Sequence, residues 1–416
     1  MPPPIVVAQI FADKLTEDNR QPVAFLTIPF LDGDYGVLLP ALSFWLQLVV
    51  LLAFQTVLCT VLAVIIYHAI VKRRGTLAAH LIGYGIILPS VLAFPYALIQ
   101  HLDIQNVMIR FVLYLPTLIS FRCLEAMHTK GNIAAESSVG RYVLYYACLI
   151  EVQYSLKTNA PQRLTGAELA KRLWRVLAQY FLLSILYSVV APYSFAPFRV
   201  PKLAHSTDHS VVDIFHIGHL SNNLVGAYLM FLILSFSQSA VAFATNLFRI
   251  RTIDVMHNPL MKSTSPTDFW SRRWNQVIHS LLKRGVFKPI VGHVPRAAAV
   301  GATFLVSGLL HEYVWSFIFY LHTSNGAGVH RFYPTHGKSM LFFAYNAFVM
   351  TMEKTIGHWP LFRIVSNRCP SPLTAMLVLL TALPCSHLFT GDLIAGGYFS
   401  DFAVALPLII RVYPDS

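Results

Sequence analysis

Charged side chains are missing from long stretches of this chain. Residues 35–71, 75–102, 176–198, 214–248 and 369–391 contain no Asp, Glu, Lys or Arg. A helix crosses about 30 Å of hydrocarbon with about 20 mostly apolar residues, so each stretch predicts a membrane-spanning helix. Residues 297–330 predict another, interrupted only by Glu312. Weaker candidates are 104–126, which holds Arg110, Arg122 and Glu125, then 339–357 and 395–412. The pattern predicts an all-α, polytopic membrane helical protein of about nine transmembrane helices, folded as a single membrane-embedded domain over residues 1–416. Pro89 and Pro95 predict a kinked or broken second span, because each proline removes a helix hydrogen bond.

The polar loop 247–296 has a helical rhythm of its own. Ser265 followed by Asp268 is a capping-box pattern, and Pro266 stands at the first helical position, which proline favours. A helix is expected from residue 266 to a stop at Gly285. On it Trp270, Trp274, Val277, Ile278 and Leu281 share one face, and Asp268, Arg272, Asn275, His279 and Lys283 the other. That is an amphipathic interfacial helix with a basic polar face, which as a plain membrane anchor would need no chemistry.

Composition narrows the class. Hydrophobic residues make up 56% of the chain and charged residues 12%. The charged share is about half that of a soluble globular protein, which excludes an ordinary soluble enzyme and a disordered chain alike. In so apolar a chain the net charge of +12 points to anionic lipid headgroups and not to nucleic acid. Alternating nine spans puts 22 of the 31 Lys and Arg on one side, that of the Lys72-Arg73-Arg74 loop. By the positive-inside rule that side is cytosolic, together with the 247–296 loop and the C-terminus, and the N-terminus is lumenal. The five cysteines are scattered and form no CxxC pair, so neither a disulfide framework nor a zinc site is expected. The first 20 residues lack a basic start before an apolar run and do not read as a secretory signal peptide.

One ionisable pair stands out. His311 and Glu312 lie in the span that begins near Arg296. His311 is therefore ~22 Å along the helix at about 1.5 Å per residue. Ionisable groups at such depth are costly and mark a pathway or an active site; the plainer alternative is a histidine hydrogen-bonded between helices. A zinc-protease motif fails, because Trp315 stands where its second histidine would be. A second histidine group, His205, His209, His216 and His219 with Asp208 and Asp213, has metal-like spacing. A membrane di-iron hydroxylase or desaturase would also need adjacent His-His pairs, and the sequence has none. A transporter would show paired broken spans in two related halves; one broken span and no repeat are legible here.

The string Asp268-Phe269-Trp270-Ser271-Arg272-Arg273-Trp274-Asn275, followed 36 residues after Asn275 by His311 within Ser307-Gly308-Leu309-Leu310-His311-Glu312, resembles the membrane-bound O-acyltransferase superfamily. It is closer to the wax synthase branch than to the diacylglycerol or sterol acyltransferase branches. The resemblance covers about residues 254–320, and many relatives have glycine where Ser271 stands. It implies transfer of an acyl group from acyl-CoA to a long-chain alcohol, with diacylglycerol, a sterol or a small secondary metabolite as other acceptors. His311 would be the general base, and Asn275 would orient it or donate to the oxyanion. Asp268, Trp270, Arg272, Arg273, Trp274 and Glu312 are the candidate substrate-binding residues. Lys262, Lys283, Arg284 and Lys288 join the two arginines as candidates to hold the coenzyme A phosphates. Acyl-CoA is a co-substrate in this reading, and no metal or cofactor is expected. The expected partners are the lipid alcohol, membrane lipid and, left open, a second copy of the chain, and the expected location is the endoplasmic reticulum membrane.

Overall fold

In the computed structural model the described residues are 20–27, 34–102, 104–129, 133–155, 157–200, 214–322, 328–330, 334–357, 359 and 368–412. Two short strands, β1 (Ala24–Leu26) and β2 (Asp34–Leu38), precede α1 (Leu42–Ala69). The second apolar stretch forms α2 (Leu77–Leu102), with a π-helical turn at Gly83–Ile87 placed just before Pro89. The wider turn accommodates the proline without ending the helix. A β-carbon on Gly83 would lie 2.1 Å from the Met127 sulfur, so a larger residue there would have to displace that side chain. Then follow α3 (Val107–Val112), α4 (Leu115–His128), α5 (Val139–Ala147), α6 (Gly166–Val190) and α7 (Ile217–Asn246). After the polar loop come α8 (Gln276–Leu282), α9 (Arg296–Ile318), the hairpin β3 (Tyr320–His322) and β4 (Gly328–His330), and α10 (Lys338–Ile356). The described chain closes with α11 (Ser371–Ala382), α12 (His387–Ala395), α13 (Tyr398–Ala403) and β5 (Leu408–Val412).

Among the described residues five helices are long and apolar enough to cross a membrane: Leu42–Arg73, Leu77–Leu102, Gly166–Tyr193, Ile217–Asn246 and Arg296–Ile318. A sixth crossing is available if α11 and α12, which meet at a 63° bend, count as one broken span. Two expectations are corrected. Residues 104–126 form not one helix but two, α3 and α4. Residues 395–412 form no continuous helix, because α13 is a single short element and β5 pairs with β2, Leu38 opposite Leu408. The reason lies in polar groups that hydropathy does not weigh. At the start of α3, Asn106 Oδ1 accepts from the Met108 and Ile109 amides, at 2.9 and 3.1 Å. Asp401 of α13 accepts from the Val107 amide at 2.7 Å. At its end Gln55 donates to the Val112 carbonyl at 3.1 Å. Both ends of a short buried helix are thus supplied with partners by neighbouring elements.

The two arginines inside 104–126 are structural in the same sense. Arg110, fully buried, donates to the carbonyls of Ile104, Ile318 and Tyr320, and so closes the C-terminal end of α9. Arg122 donates to the carbonyls of Tyr145, Tyr146, Cys148 and Leu149 at the end of α5. A cation at a helix C-terminus meets both the orphan carbonyls and the negative end of the helix dipole.

Helices α9 and α10 pack along their length. Their approach depends on Gly308, where a β-carbon would lie 2.7 Å from Met340 Cα. Gly308 therefore serves helix packing. Replacing it with Val should separate α9 from α10 and cost about 1–3 kcal/mol, the usual penalty of overpacking. A lowered thermal-unfolding midpoint of the purified protein in detergent checks this; an unchanged midpoint would show that the two helices have slack at this point.

Candidate active site

The segment expected to be one helix over 266–285 is broken in the middle. Ser265 caps its start, its Oγ accepting from the Asp268 amide at 3.1 Å, with Pro266 in the first turn. The capping box is not reciprocal: the Asp268 carboxylate accepts from Thr264 at its amide (3.1 Å) and hydroxyl (3.3 Å). A π-helical turn follows at Phe269–Arg273, then Trp274 is extended and Asn275 takes a left-handed conformation with φ 36°. Asparagine tolerates that conformation better than most residues. Asn275 then caps α8, its Oδ1 accepting from the Ile278 amide at 3.3 Å. The Phe269 and Trp274 rings, stacked with centroids 5.3 Å apart, pack the turn together.

This break redistributes the expected faces. Trp270, Arg272, Trp274, Asn275, His279 and Lys283 line one cavity of about 560 Å³. Asp268 and Arg273 do not line it; they pair with each other, and Arg273 also donates to the His257 carbonyl at 3.2 Å. Burial alone would raise the Asp268 carboxyl, but Arg273 and the Thr264 amide outweigh it and hold the group below the usual carboxylate range.

The cavity follows α9 from Arg296 to Trp315 and contains His311. His311 Nδ1 lies 2.7 Å from the Ser307 carbonyl oxygen. A carbonyl only accepts, so Nδ1 carries the proton and Nε2 of the neutral ring carries a lone pair. The ring stacks on Phe343 at 4.8 Å and meets Phe389 and Trp315 edge-on at 5.0 and 5.9 Å. Glu312 does not line the cavity. Its Oε1 accepts from the Ser339 and Met340 amides, at 2.8 and 3.3 Å, and so caps α10, whose own cap position is Gly337.

At the other end of the cavity Arg272, Lys283, Arg296 and Lys354 are exposed, with no ion-pair partner among the described residues. The remaining loop cations differ. Arg284 makes a two-pronged bond to Glu151 (3.2 and 2.8 Å) and lies 3.1 Å from Glu125, which also accepts from Tyr145. Lys262 and Lys288 do not line the cavity. Sequence reasoning missed Arg296 and Lys354 as site residues. Lys354 was legible in principle, because Phe343, Met350 and Lys354 recur at helical spacing on one face of α10 and all three line the cavity. Of the second histidine group, His205, Asp208, His209 and Asp213 lie outside the described residues. His216 caps α7 and His219 meets His387, with ring centroids 5.0 Å apart.

His311, Asn275 and the exposed cations thus share one largely apolar chamber in a polytopic membrane helical protein. Residues 254–344 match the membrane bound O-acyl transferase family. The chain is similar to acyl-CoA–sterol O-acyltransferase 1 of Arabidopsis thaliana, 31% identical over 157 residues, 35% of this chain and 41% of that protein. It is also similar to two proteins of the same organism named probable long-chain-alcohol O-fatty-acyltransferase. To number 6 it is 30% identical over 156 residues (35% of this chain, 43% of that protein). To number 9 it is 41% identical over 64 residues (14% and 19%). The matched stretch thus spans less than half the length of these relatives.

Two outcomes test the site's electrostatics. Burial, then the Lys283 and Arg284 charges, push His279 down from 6.5 to about 4. The unfolded chain therefore takes up this proton first, and as pH falls from about 6.5 towards 4 the residue lowers stability. Between pH 7 and 5 the unfolding midpoint of His279→Gln should fall less than that of the parent; equal falls would contradict the assignment. Arg273→Gln should lower the midpoint at neutral pH by leaving Asp268 without its cation, which the same measurement checks.

Proposed function

We propose that this protein is an acyl-CoA-dependent O-acyltransferase that esterifies a long-chain alcohol to a wax ester in the endoplasmic reticulum membrane. The observation that carries the reading is the His311 tautomer: inside an apolar cavity it presents Nε2 as a base, in the same chamber as Asn275. An alcohol is a poor nucleophile until a base takes its proton during attack. In the proposed reaction His311 Nε2 takes the hydroxyl proton as the oxygen attacks the thioester carbonyl. Asn275 Nδ2 donates to the oxyanion of the tetrahedral intermediate. Collapse breaks the carbon–sulfur bond, and His311 returns the proton to the coenzyme A thiolate. The products are the ester and free coenzyme A. The aromatic walls exclude water, which would otherwise compete for the thioester.

Arg272, Lys283, Arg296 and Lys354, which have no ion-pair partner among the described residues, suit the coenzyme A phosphates at the mouth, while the acyl chain runs inward. Relatives named for long-chain alcohols support the alcohol acceptor. The relative named for sterols favours a second reading in which the acceptor is a sterol.

Membranes containing the protein, labelled acyl-CoA and a panel of long-chain alcohol, sterol and diacylglycerol acceptors test both readings. Wax ester as the main product is expected; steryl ester would select the second. His311→Ala should lower turnover by about 10²–10⁴-fold, and near-normal esterification by a well-expressed variant would remove the mechanism. Arg272→Gln combined with Lys354→Gln should raise the Michaelis constant for acyl-CoA about 2–30-fold, from about 0.2–1 kcal/mol per exposed ion pair. The effect should shrink as salt rises.

A further inference from the structure

Within the span α7, one buried polar side chain reaches the candidate site without lining the cavity. Gln238 is only 8% exposed, and its Nε2 donates to Asn275 Oδ1 at 3.1 Å. The roles of the two amides are fixed by an independent group. The Ile278 backbone N–H can only donate, so the Asn275 atom facing it must be Oδ1. Gln238 must then present its amino group to that same oxygen. Asn275 Oδ1 thus takes two donors, and the Asn275 Nδ2 protons have no hydrogen-bond partner among the described residues.

Gln238 itself is poorly served. Its Oε1 is buried with no hydrogen-bond partner among the described residues. An unsatisfied buried carbonyl costs about 1–3 kcal/mol, so a leucine of similar size would suit an apolar helix face better. The single bond to Asn275 is what this residue contributes in exchange.

We infer that Gln238 is a positioning residue that fixes the Asn275 amide with Oδ1 held back and Nδ2 turned to the substrate. The inference rests on the proposed acyl transfer, in which Nδ2 is the oxyanion donor. Without Gln238 the Ile278 amide alone holds Oδ1, and the Asn275 side chain gains freedom to leave its donating geometry. The loss falls on the transition state and not on acyl-CoA binding, so kcat should fall while the Michaelis constant for acyl-CoA stays the same.

The test compares the full-length parent with Gln238→Leu, Gln238→Glu and Asn275→Ala, and with the double variant Gln238→Leu/Asn275→Ala, in membranes and in detergent. Gln238→Leu should lower kcat about tenfold, with the acyl-CoA Michaelis constant within twofold and the unfolding midpoint unchanged or raised. Gln238→Glu, whose carboxylate offers Oδ1 no donor, should lower kcat at least as far. In the Asn275→Ala background Gln238→Leu should change the residual rate by less than twofold, because the group it positions is gone. Several results overturn the inference: full activity of Gln238→Leu, a parallel loss of stability and acyl-CoA binding, or an undiminished tenfold loss in the Asn275→Ala background. If the parent itself makes no ester with any acceptor, the functional reading fails first and takes the inference with it. A parent that makes ester and a Gln238→Leu variant that matches it would leave that reading standing and remove only this inference.

Discussion

An apolar bundle offers no water to its interior, so every buried carbonyl, amide and charge must find its partner within the protein. Much of the structure follows from that constraint. Arg110 and Arg122 lie in a stretch apolar enough to suggest a span, and each spends its donors on the carbonyls that end another helix. Glu312 does the converse at the start of α10. Arg284 holds Glu125 and Glu151 together beside Tyr145. Since Arg110 anchors the far end of α9 and Glu312 ties α9 to α10, these bonds also hold the walls on either side of His311.

The cavity exists because the loop before α9 does not continue as one helix. A straight helix from Pro266 would have placed Trp270 and Trp274 on one face with Arg272 and Asn275 opposite. The left-handed turn at Asn275 brings all four to the same chamber and leaves Asp268 and Arg273 to neutralise each other behind it. The same turn aims the Asn275 amide, with Ile278 and Gln238 supplying the two donors that hold its oxygen. One backbone departure thus decides which side chains of a short charged string line the cavity.

Membrane insertion, the helical class and the place of His311 deep within a span were legible in the sequence, because each depends on a local property. A run of 20 apolar residues satisfies its own backbone as a helix wherever it lies, and a histidine deep in such a run is costly whatever surrounds it. The string from Asp268 to Asn275 with His311 downstream likewise marked the right segment for the cavity. The chain alone did not reveal which cations are spoken for. Arg272 and Arg273 are neighbours with the same side chain, yet one stands at the mouth and the other is bound to Asp268. Arg296 and Gln238 come from different helices, and nothing in their local sequence ties them to Asn275. The fate of residues 395–412 was hidden for the same reason, since Asp401 finds its partner at Val107, 294 residues away, and β5 pairs with β2, Leu408 opposite Leu38 across 370 residues. By itself the sequence determined that this chain lives in a membrane and that His311 lies deep within a span, because hydropathy and helix period act within one segment. Only the tertiary structure decided which polar groups are free to act, because in a medium without water that depends on partners supplied by distant segments.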